Sequence, residues 1–376
     1  MANKIAVVVG AGASFDSVPE DVDMGINWGW RPPLTKELFE PKVMGPDKGL
    51  FNDRRRNVEE SLSHYPRARS LRGDIALRLS DSEGDRAAET LEQVLMSFRD
   101  GSRNRFRRFQ QVPFFLRELL GEVSAKFIKN GVNSGENFDV LLDNLLEAFD
   151  EVLFVTLNYD LFLEKAIETV ANSVPGAREA LGMGWYIQDP HWKLVKLHGS
   201  VDWVRAFTPP ASILGDLPSD NVRGTALEVL DKLFIDEVDL GEIELVLKWD
   251  RWRNGAKFLY PAIAVPVDDA RQSSICPREH EQAAEQFLTD CENYLFLGTR
   301  GKDNDLVQLL SKSGACRVVG IVAQGEEDCK ETQSNLQEAL DFSSGPQIYY
   351  SSGFTGFVRD GGLADFLEAS HRTGLT

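Results

Sequence analysis

The chain reads as a doubly wound α/β protein with a mostly parallel sheet, and three observations predict it. Short, continuous apolar runs rich in β-branched residues recur along the sequence. Amphipathic stretches at helical spacing alternate with them. Four of the runs end in polar or glycine-rich text, where open α/β sheets bind their ligands.

Ile5–Val9 is the first such run, patterned as a strand buried on both faces, and it stops at Gly10-Ala11-Gly12-Ala13-Ser14. Residues 19–50 read as loop, rich in Pro and Gly, with Trp28, Trp30 and the Pro32-Pro33 pair as landmarks. Residues 51–130 read mostly as helix, with helical spacing over Arg86–Phe98 and again over Phe114–Ile128. A further amphipathic helix covers Phe138–Phe149, with Leu141, Leu142, Leu145 and Leu146 on one side. The strand Val152–Thr156 follows and ends at Asn158-Tyr159-Asp160, which leads into a helix over Leu161–Val170. Lys193–Leu197 is a third strand, ending at His198-Gly199.

Residues 201–260 break this rhythm with Pro209-Pro210, Pro218 and an acidic helical stretch over Thr225–Leu247. Alternation then resumes, with a helix at Glu279–Leu288 and a strand at Tyr294–Leu297 ending in Gly298-Thr299. A helix at Asp305–Ser311, a strand at Arg317–Val322, a helix at Lys330–Leu340 and a last strand at Gln347–Tyr350 complete the pattern. We expect one catalytic domain over 1–376, carrying a helical insertion at 51–130 and a small-lobe insertion at 201–260.

The 376 residues are 42% hydrophobic and carry a formal charge of −18, which argues against a surface built mainly to grip nucleic acid. The exception is 51–120, where 14 arginines face 11 acidic residues. There Arg103, Arg105, Arg107 and Arg108 interleave with Phe106 and Phe109. Nucleic-acid binders share that texture, but ion pairs between a solvated helix face and the acidic bulk are the better reading. Cys276, Cys291, Cys316 and Cys329 lack the paired spacing of a zinc ribbon, so we expect reduced, buried thiols and no metal. The apolar start from Ile5 to Ala13 imitates a short signal peptide but is better explained as a strand entering a glycine turn. No stretch approaches the length of a membrane span, and we expect a cytoplasmic protein.

The glycine turn after the first strand lets backbone approach a diphosphate, and Ser14 adds a hydroxyl. As a dinucleotide fingerprint it is incomplete, since Phe15 stands where a third glycine belongs. Taken alone it serves equally as a plain strand-to-helix turn. Asn158 at its strand end can cap the next helix, as can Asp160, or it can orient a carboxamide or a water. His198, one of five histidines, ends another strand beside a glycine. That placement suits a general base, although a satisfied core histidine would look the same.

Taken in order, GAGAS, TLNYD and KLHGS resemble the signature of the sirtuin family, and most closely its bacterial sirtuin-like branch associated with antiphage defence. Pro33-Leu34, Tyr260–Ile263 and the run from Gly298 to Asp305 are similar to further motifs of that branch, while residues 51–137 and 203–255 lie outside the resemblance. The resemblance implies a Rossmann-like fold and an enzyme that hydrolyses NAD to nicotinamide and ADP-ribose. It places Gly10, Ala11, Gly12 and Ser14 at the diphosphate, and Gly298 and Thr299 on the adenosine side. Asn158 and Asp160 fall near the nicotinamide ribose, with His198 as base. The sirtuin deacylases hold a peptide-binding lobe with paired CxxC motifs, which this chain lacks, and they place an Asn where Ala323-Gln324-Gly325 stands. Protein deacylation is therefore the alternative, and a non-catalytic module sensing NAD or ADP-ribose is a third. A toxic hydrolase needs gating. We therefore expect a homo-oligomer assembled through 51–120, with acidic surface such as Asp231–Glu244 of a second subunit as its counterpart. An ATPase partner of the DNA-translocase type is also expected.

Overall fold

The computed structural model describes residues 2–17, 32–34, 38–39, 58, 60–80, 90–129, 134–171, 174–214, 222–247, 253–254, 257–266, 275–314, 316–342 and 345–372. Most of the loop expected at 19–50, with Trp28 and Trp30, and the expected helix start at Arg86 lie outside them. The chain forms two compact units. One comprises Met1–Met24, Lys126–Gly199 and Ser273–Thr376, the other Gly25–Ala125 and Ser200–Gln272.

In chain order the strands are β1 Lys4–Val9, β2 Glu151–Thr156, β3 Trp192–Lys196, β4 Gly199–Phe207, β5 Ile243–Leu245, β6 Arg253–Asn254, β7 Lys257–Ile263, β8 Asn293–Leu297, β9 Val318–Val322 and β10 Gln347–Tyr350. Six of them build the first unit's sheet in the order β10-β9-β8-β1-β2-β3. Every pairing in that sheet is parallel. The register aligns Val9 with Thr156 and Leu297, Thr156 with Lys196, Leu297 with Val322, and Val322 with Tyr350. The six strands therefore end level, and the segments that follow them emerge at one edge.

Apolar runs make this sheet because both of its faces are covered. Ala6, Val8, Tyr294, Phe296, Val319 and Ile321 point to one face, where they cluster with Ala284, Phe287 and Leu288 of the helix Arg278–Leu288 and with Leu306 and Leu310 of the helix Asn304–Leu310. Gly320 points the other way, toward Leu295 and Phe366 of the helix Gly362–Arg372. A Cβ there would come within 2.8 Å of the Phe366 ring, so glycine is what lets that helix close on the sheet. The fold is the predicted doubly wound α/β sheet. All four cysteines are free thiols buried in the first face's core.

The second unit carries a four-stranded sheet of order β5-β4-β7-β6, with β4/β5 and β6/β7 antiparallel. Its helices include Pro66–Ser80, Leu91–Arg99, Arg103–Phe109 and the helix Val112–Lys129 as far as Ala125. Thr90 opens Leu91–Arg99 with a capping box closed by Gln93. Buried Gln110 donates to the carbonyls of Leu230 and Leu233 and accepts from the Ile235 amide. One side chain so fixes where the segment after the helix Val222–Lys232 turns.

That segment corrects the acidic helix expected over Thr225–Leu247. The helix stops at Lys232, and Ile243–Leu245 is strand. The Gly241 amide donates to Ala206 at 2.8 Å, and Arg205 donates to the carbonyls of Gly241 and Leu240. These bonds hold the chain against β4, and the alternation of Ile243 and Leu245 with glutamates has the period of a strand. Two closing helices, Gly353–Arg359 and Gly362–Arg372, were not anticipated. No helix among the described residues is long and apolar enough to cross a membrane.

Candidate active site

Strand order reverses at β1, which lies between β8 and β2. In such sheets ligands gather at the carboxyl ends around that switch point. The GAGAS turn leaves β1 there, and the Gly298-Thr299 turn leaves β8 beside it. The two turns interlock. Gly10 and Gly12 donate their amides to the carbonyls of Leu297 and Gly298, at 2.9 and 3.0 Å. Gly298 adopts φ +57°, and a Cβ on it would lie 2.2 Å from the Ala13 nitrogen. A Cβ on Gly12 would lie 2.8 Å from the Gly298 oxygen. These glycines are thus required by the packing of backbone on backbone. With the Ala13 amide donating to Gly10, the Ala11 amide is left as the turn's donor without a carbonyl partner among the described residues.

Asn158 lies two residues beyond the end of β2, held by its own amide donating to Thr156 Oγ1 at 3.0 Å. Its side chain does not cap the next helix. The carboxamide nitrogen instead reaches the β1 turn, donating to the Gly10 carbonyl and to Ser14 Oγ, both at 3.0 Å. Both N–H bonds are spent, and the amide oxygen is left as the acceptor. The capping falls to Asp160, whose Oδ1 accepts from the Phe162 amide at 3.2 Å at the start of the helix Phe162–Val170. Asp160 also shares a hydrogen bond with the Ser14 hydroxyl. Burial pushes the Asp160 carboxyl above its ordinary value, against the pull of Lys196 and of its hydrogen bonds.

Beneath this loop lies a charged pair absent from the sequence reading. Lys196, the last residue of β3, donates to Glu164 at 2.8 Å and to the Asp160 carbonyl, with both charged side chains 1% exposed. Arg178 approaches the same carboxylate at 3.7 Å. The pair ties the Asn158–Asp160 loop to the neighbouring strand. A lysine in a strand and a glutamate in a helix look ordinary in one dimension, so nothing in the sequence marks their meeting.

His198 stands two residues beyond β3, on the same edge as Asn158. Its Nε2 lies 3.0 Å from Asp303 Oδ2, and its ring stacks near Tyr159 with centroids 6.3 Å apart. Asp303 is the N-cap of the helix Asn304–Leu310, its Oδ1 accepting from the Leu306 amide at 3.0 Å. Burial opposes its charge, yet the His198 contact and the amides of Leu306 and Asp305 hold the Asp303 carboxyl below its ordinary value. Burial, and next the charge of Asp303, push Asp305 the other way. One ligand atom each of His198, Asp303 and Asp305 lie within 4.8 Å of one another, a spacing that would admit a cation. The direct contact of His198 with Asp303 accounts for that approach without one.

The structure thus sets Gly10, Ala11, Gly12, Ser14, Asn158, Asp160, His198, Gly298 and Thr299 along the ends of β1, β2, β3 and β8. It joins Ser14 to Asn158 and Asp160 by hydrogen bonds and packs Gly298 and Thr299 against the first turn. Asp303 is the residue the sequence reading passed over. Its signal was its place in the Gly298–Asp305 run, two residues before a second aspartate.

No protein-family model matches the chain, and no curated protein matches it. Similar solved structures include a mutant Sir2 homologue in complex with ADP-ribose, at 13% identity and a TM-score of 0.38 over 99% of this chain and 93% of that one. A Sir2 homologue–NAD complex matches at 12% identity and a TM-score of 0.37, over 99% and 90% of the two chains. Sir2Tm bound to a propionylated peptide matches at 13% and 0.35, over 97% and 94%. At these identities and TM-scores the likeness transfers no residue roles to this chain.

Proposed function

We propose that the protein is an NAD glycohydrolase, cleaving NAD to nicotinamide and ADP-ribose at the carboxyl edge of the parallel sheet. The observation that carries this reading is the pairing of two pre-set groups on adjacent strand ends. Asn158 has both amide hydrogens committed to the β1 turn and its oxygen left to accept. His198 is held from one side by a carboxylate. The chemistry asks for little more. The pyridinium is already a good leaving group, so the C1′–N bond breaks with its electron pair going to the nicotinamide nitrogen. Water oxygen then bonds to C1′ as the water gives up a proton. Asn158 orients that water through its amide oxygen, and His198 accepts the proton. Holding these groups in place before substrate arrives is itself a large part of catalysis.

Protein deacylation is the second reading. Four cysteines buried in a sheet core, the thiols of Cys291 and Cys316 pushed up to about 12 by burial, are poor candidates for zinc ligands. The resemblance extends the proposal to an effector of bacterial antiphage defence whose basal activity is raised by assembly with itself or with an ATPase of the DNA-translocase type. The test is to incubate the purified protein with NAD and follow free nicotinamide, with and without an acetylated peptide. Release without peptide, abolished by His198→Ala, is expected. Release that depends on peptide would move the assignment to deacylation, and none under either condition would overturn both.

A further inference from the structure

We infer that Asp303 is the positioning residue of the site: it keeps the proton of neutral His198 on Nε2 and so makes Nδ1 the atom that accepts a proton. The inference rests on the hydrolase reading for its catalytic consequence, but its geometric content stands without it. His198 and Asp303 are 105 positions apart in the chain, and sheet order separates their strands as well. β8 and β3 are three places apart, which is about 14 Å at the usual strand spacing. The five steps along the chain from Gly298 to Asp303 span at most about 17 Å when extended. The segment and the two side chains together bridge that separation, as the contact between His198 and Asp303 shows.

The segment is built to stay there. Thr299 Oγ1 accepts from the Gly301 amide at 3.2 Å, and Gly301 adopts φ +65°. Thr332 donates to the Thr299 carbonyl at 2.8 Å and Asn335 to the Arg300 carbonyl at 2.7 Å, both from the helix Glu326–Leu336. Asp303 then divides its two oxygens. Oδ1 caps the helix and Oδ2 faces His198 Nε2. A carboxylate only accepts, so the ring nitrogen facing it must carry the hydrogen. The other nitrogen, Nδ1, is left with its lone pair. As water adds to C1′ its proton moves to Nδ1, the imidazolium is stabilised by Asp303, and the proton is then lost to solvent.

Asp303→Asn tests this without removing the helix cap, because asparagine caps as well as aspartate. With its oxygen on the Leu306 amide, the new side chain turns an N–H toward His198 Nε2 and imposes the opposite tautomer. In a Ser-His-Asp triad the same change costs about 10⁴ in kcat. Here kcat for nicotinamide release is expected to fall at least about 100-fold, with KM nearly unchanged. Asp303→Ser, which keeps the cap and presents no carboxylate, should fall less. The independent readout is the ring nitrogen resonances of ¹⁵N-histidine-labelled full-length protein at pH 8, with His198 assigned by its loss in His198→Gln. The parent should show Nε2 protonated and Asp303→Asn should show Nδ1 protonated. An identical tautomer in both proteins would overturn the inference, as would recovery of Asp303→Ser by added Mn²⁺, which would make the cluster a cation site. If the parent releases no nicotinamide while the tautomer still switches, the hydrolase reading fails and the role of Asp303 in setting the ring stands.

Discussion

Asn158 and the glycines around it show how tightly single residues are bound into this edge. Read in sequence, Gly12 looks like room left for a diphosphate, and a valine there would be a clean probe of nucleotide binding. In the structure a Cβ on Gly12 meets the Gly298 carbonyl at 2.8 Å, and the Gly12 amide is already donating to that oxygen. The added branch must therefore push apart two turns made of backbone, which cannot yield as a flexible side chain would. We expect Gly12→Val to lower the melting temperature by about 1–4 °C, the range a 1–3 kcal/mol overpacking penalty predicts for a chain of this length, before any effect on ligand is considered. A variant that melts with the parent and has lost only NAD affinity in calorimetry would return Gly12 to the diphosphate. The presence of glycines at this turn was legible in the sequence. Their partner, Gly298, was not, because nearly the whole chain separates two turns that the parallel register sets side by side.

The elements were legible where their burial is uniform and obscure where it is mixed. β1, β2, β3, β8, β9 and β10 fall within a residue or so of the predicted runs, since a strand covered on both faces can carry little but apolar side chains. The stretch Thr225–Leu247 misled because acidic residues suit an exposed helix and an exposed strand equally, and hydrogen bonds from Arg205 and Gly241 decide between them. Helix docking supplies a prediction that no pattern contains. His280, in Arg278–Leu288, is buried against Tyr186, and its Nε2 donates to the Met183 carbonyl at 3.0 Å. Burial pulls its pKa from 6.5 to about 4, so the folded protein holds it neutral through a range in which the unfolded chain protonates it. The unfolded state binds more protons between those two values. Stability from this site is therefore full above pH 6.5 and is lost as the pH falls toward 4, at up to about 1.4 kcal/mol per pH unit. His280→Gln keeps a donor for Met183 and cannot titrate. Denaturant unfolding of the two proteins from pH 8 to pH 4 should show curves that converge as acid is added, the parent losing its advantage. Parallel curves would mean that His280 is protonated in the folded protein too.

Over the whole molecule the sequence gives a strongly acidic chain with one basic segment, and charge alone invites an interface at that segment. The structure redirects the argument, because the acids offered as a second subunit's contribution are engaged within the same chain. Arg103 donates to Asp236 at 2.9 Å and also to Glu237, and Arg67 pairs with Asp231. Arg108 reaches Asp74 at 2.7 Å, while Arg103 and Arg107 lie over the Phe234 ring at 4.5 and 4.6 Å. The interleaved arginines and phenylalanines thus hold the helix Arg103–Phe109 to the segment after Val222–Lys232. The sequence signalled this grouping correctly and could not assign its partner, because cis and trans ion pairs have the same composition. Exposed pairs of this kind contribute about 0.2–1 kcal/mol each, and stacking on an aromatic ring adds a similar amount. Reversing the charge of Arg103 should therefore cost about 1–2 kcal/mol and lower the melting temperature by a few degrees. Its effect on self-association separates the two arrangements. With its acids in cis, Arg103→Glu should leave the molar mass in light scattering equal to that of the parent at the same concentration. It should also weaken no assembly that other surfaces build. A fall in mass, recovered when Arg103→Glu protein is mixed with a copy carrying only Asp236→Arg, would show that these residues join one copy to another.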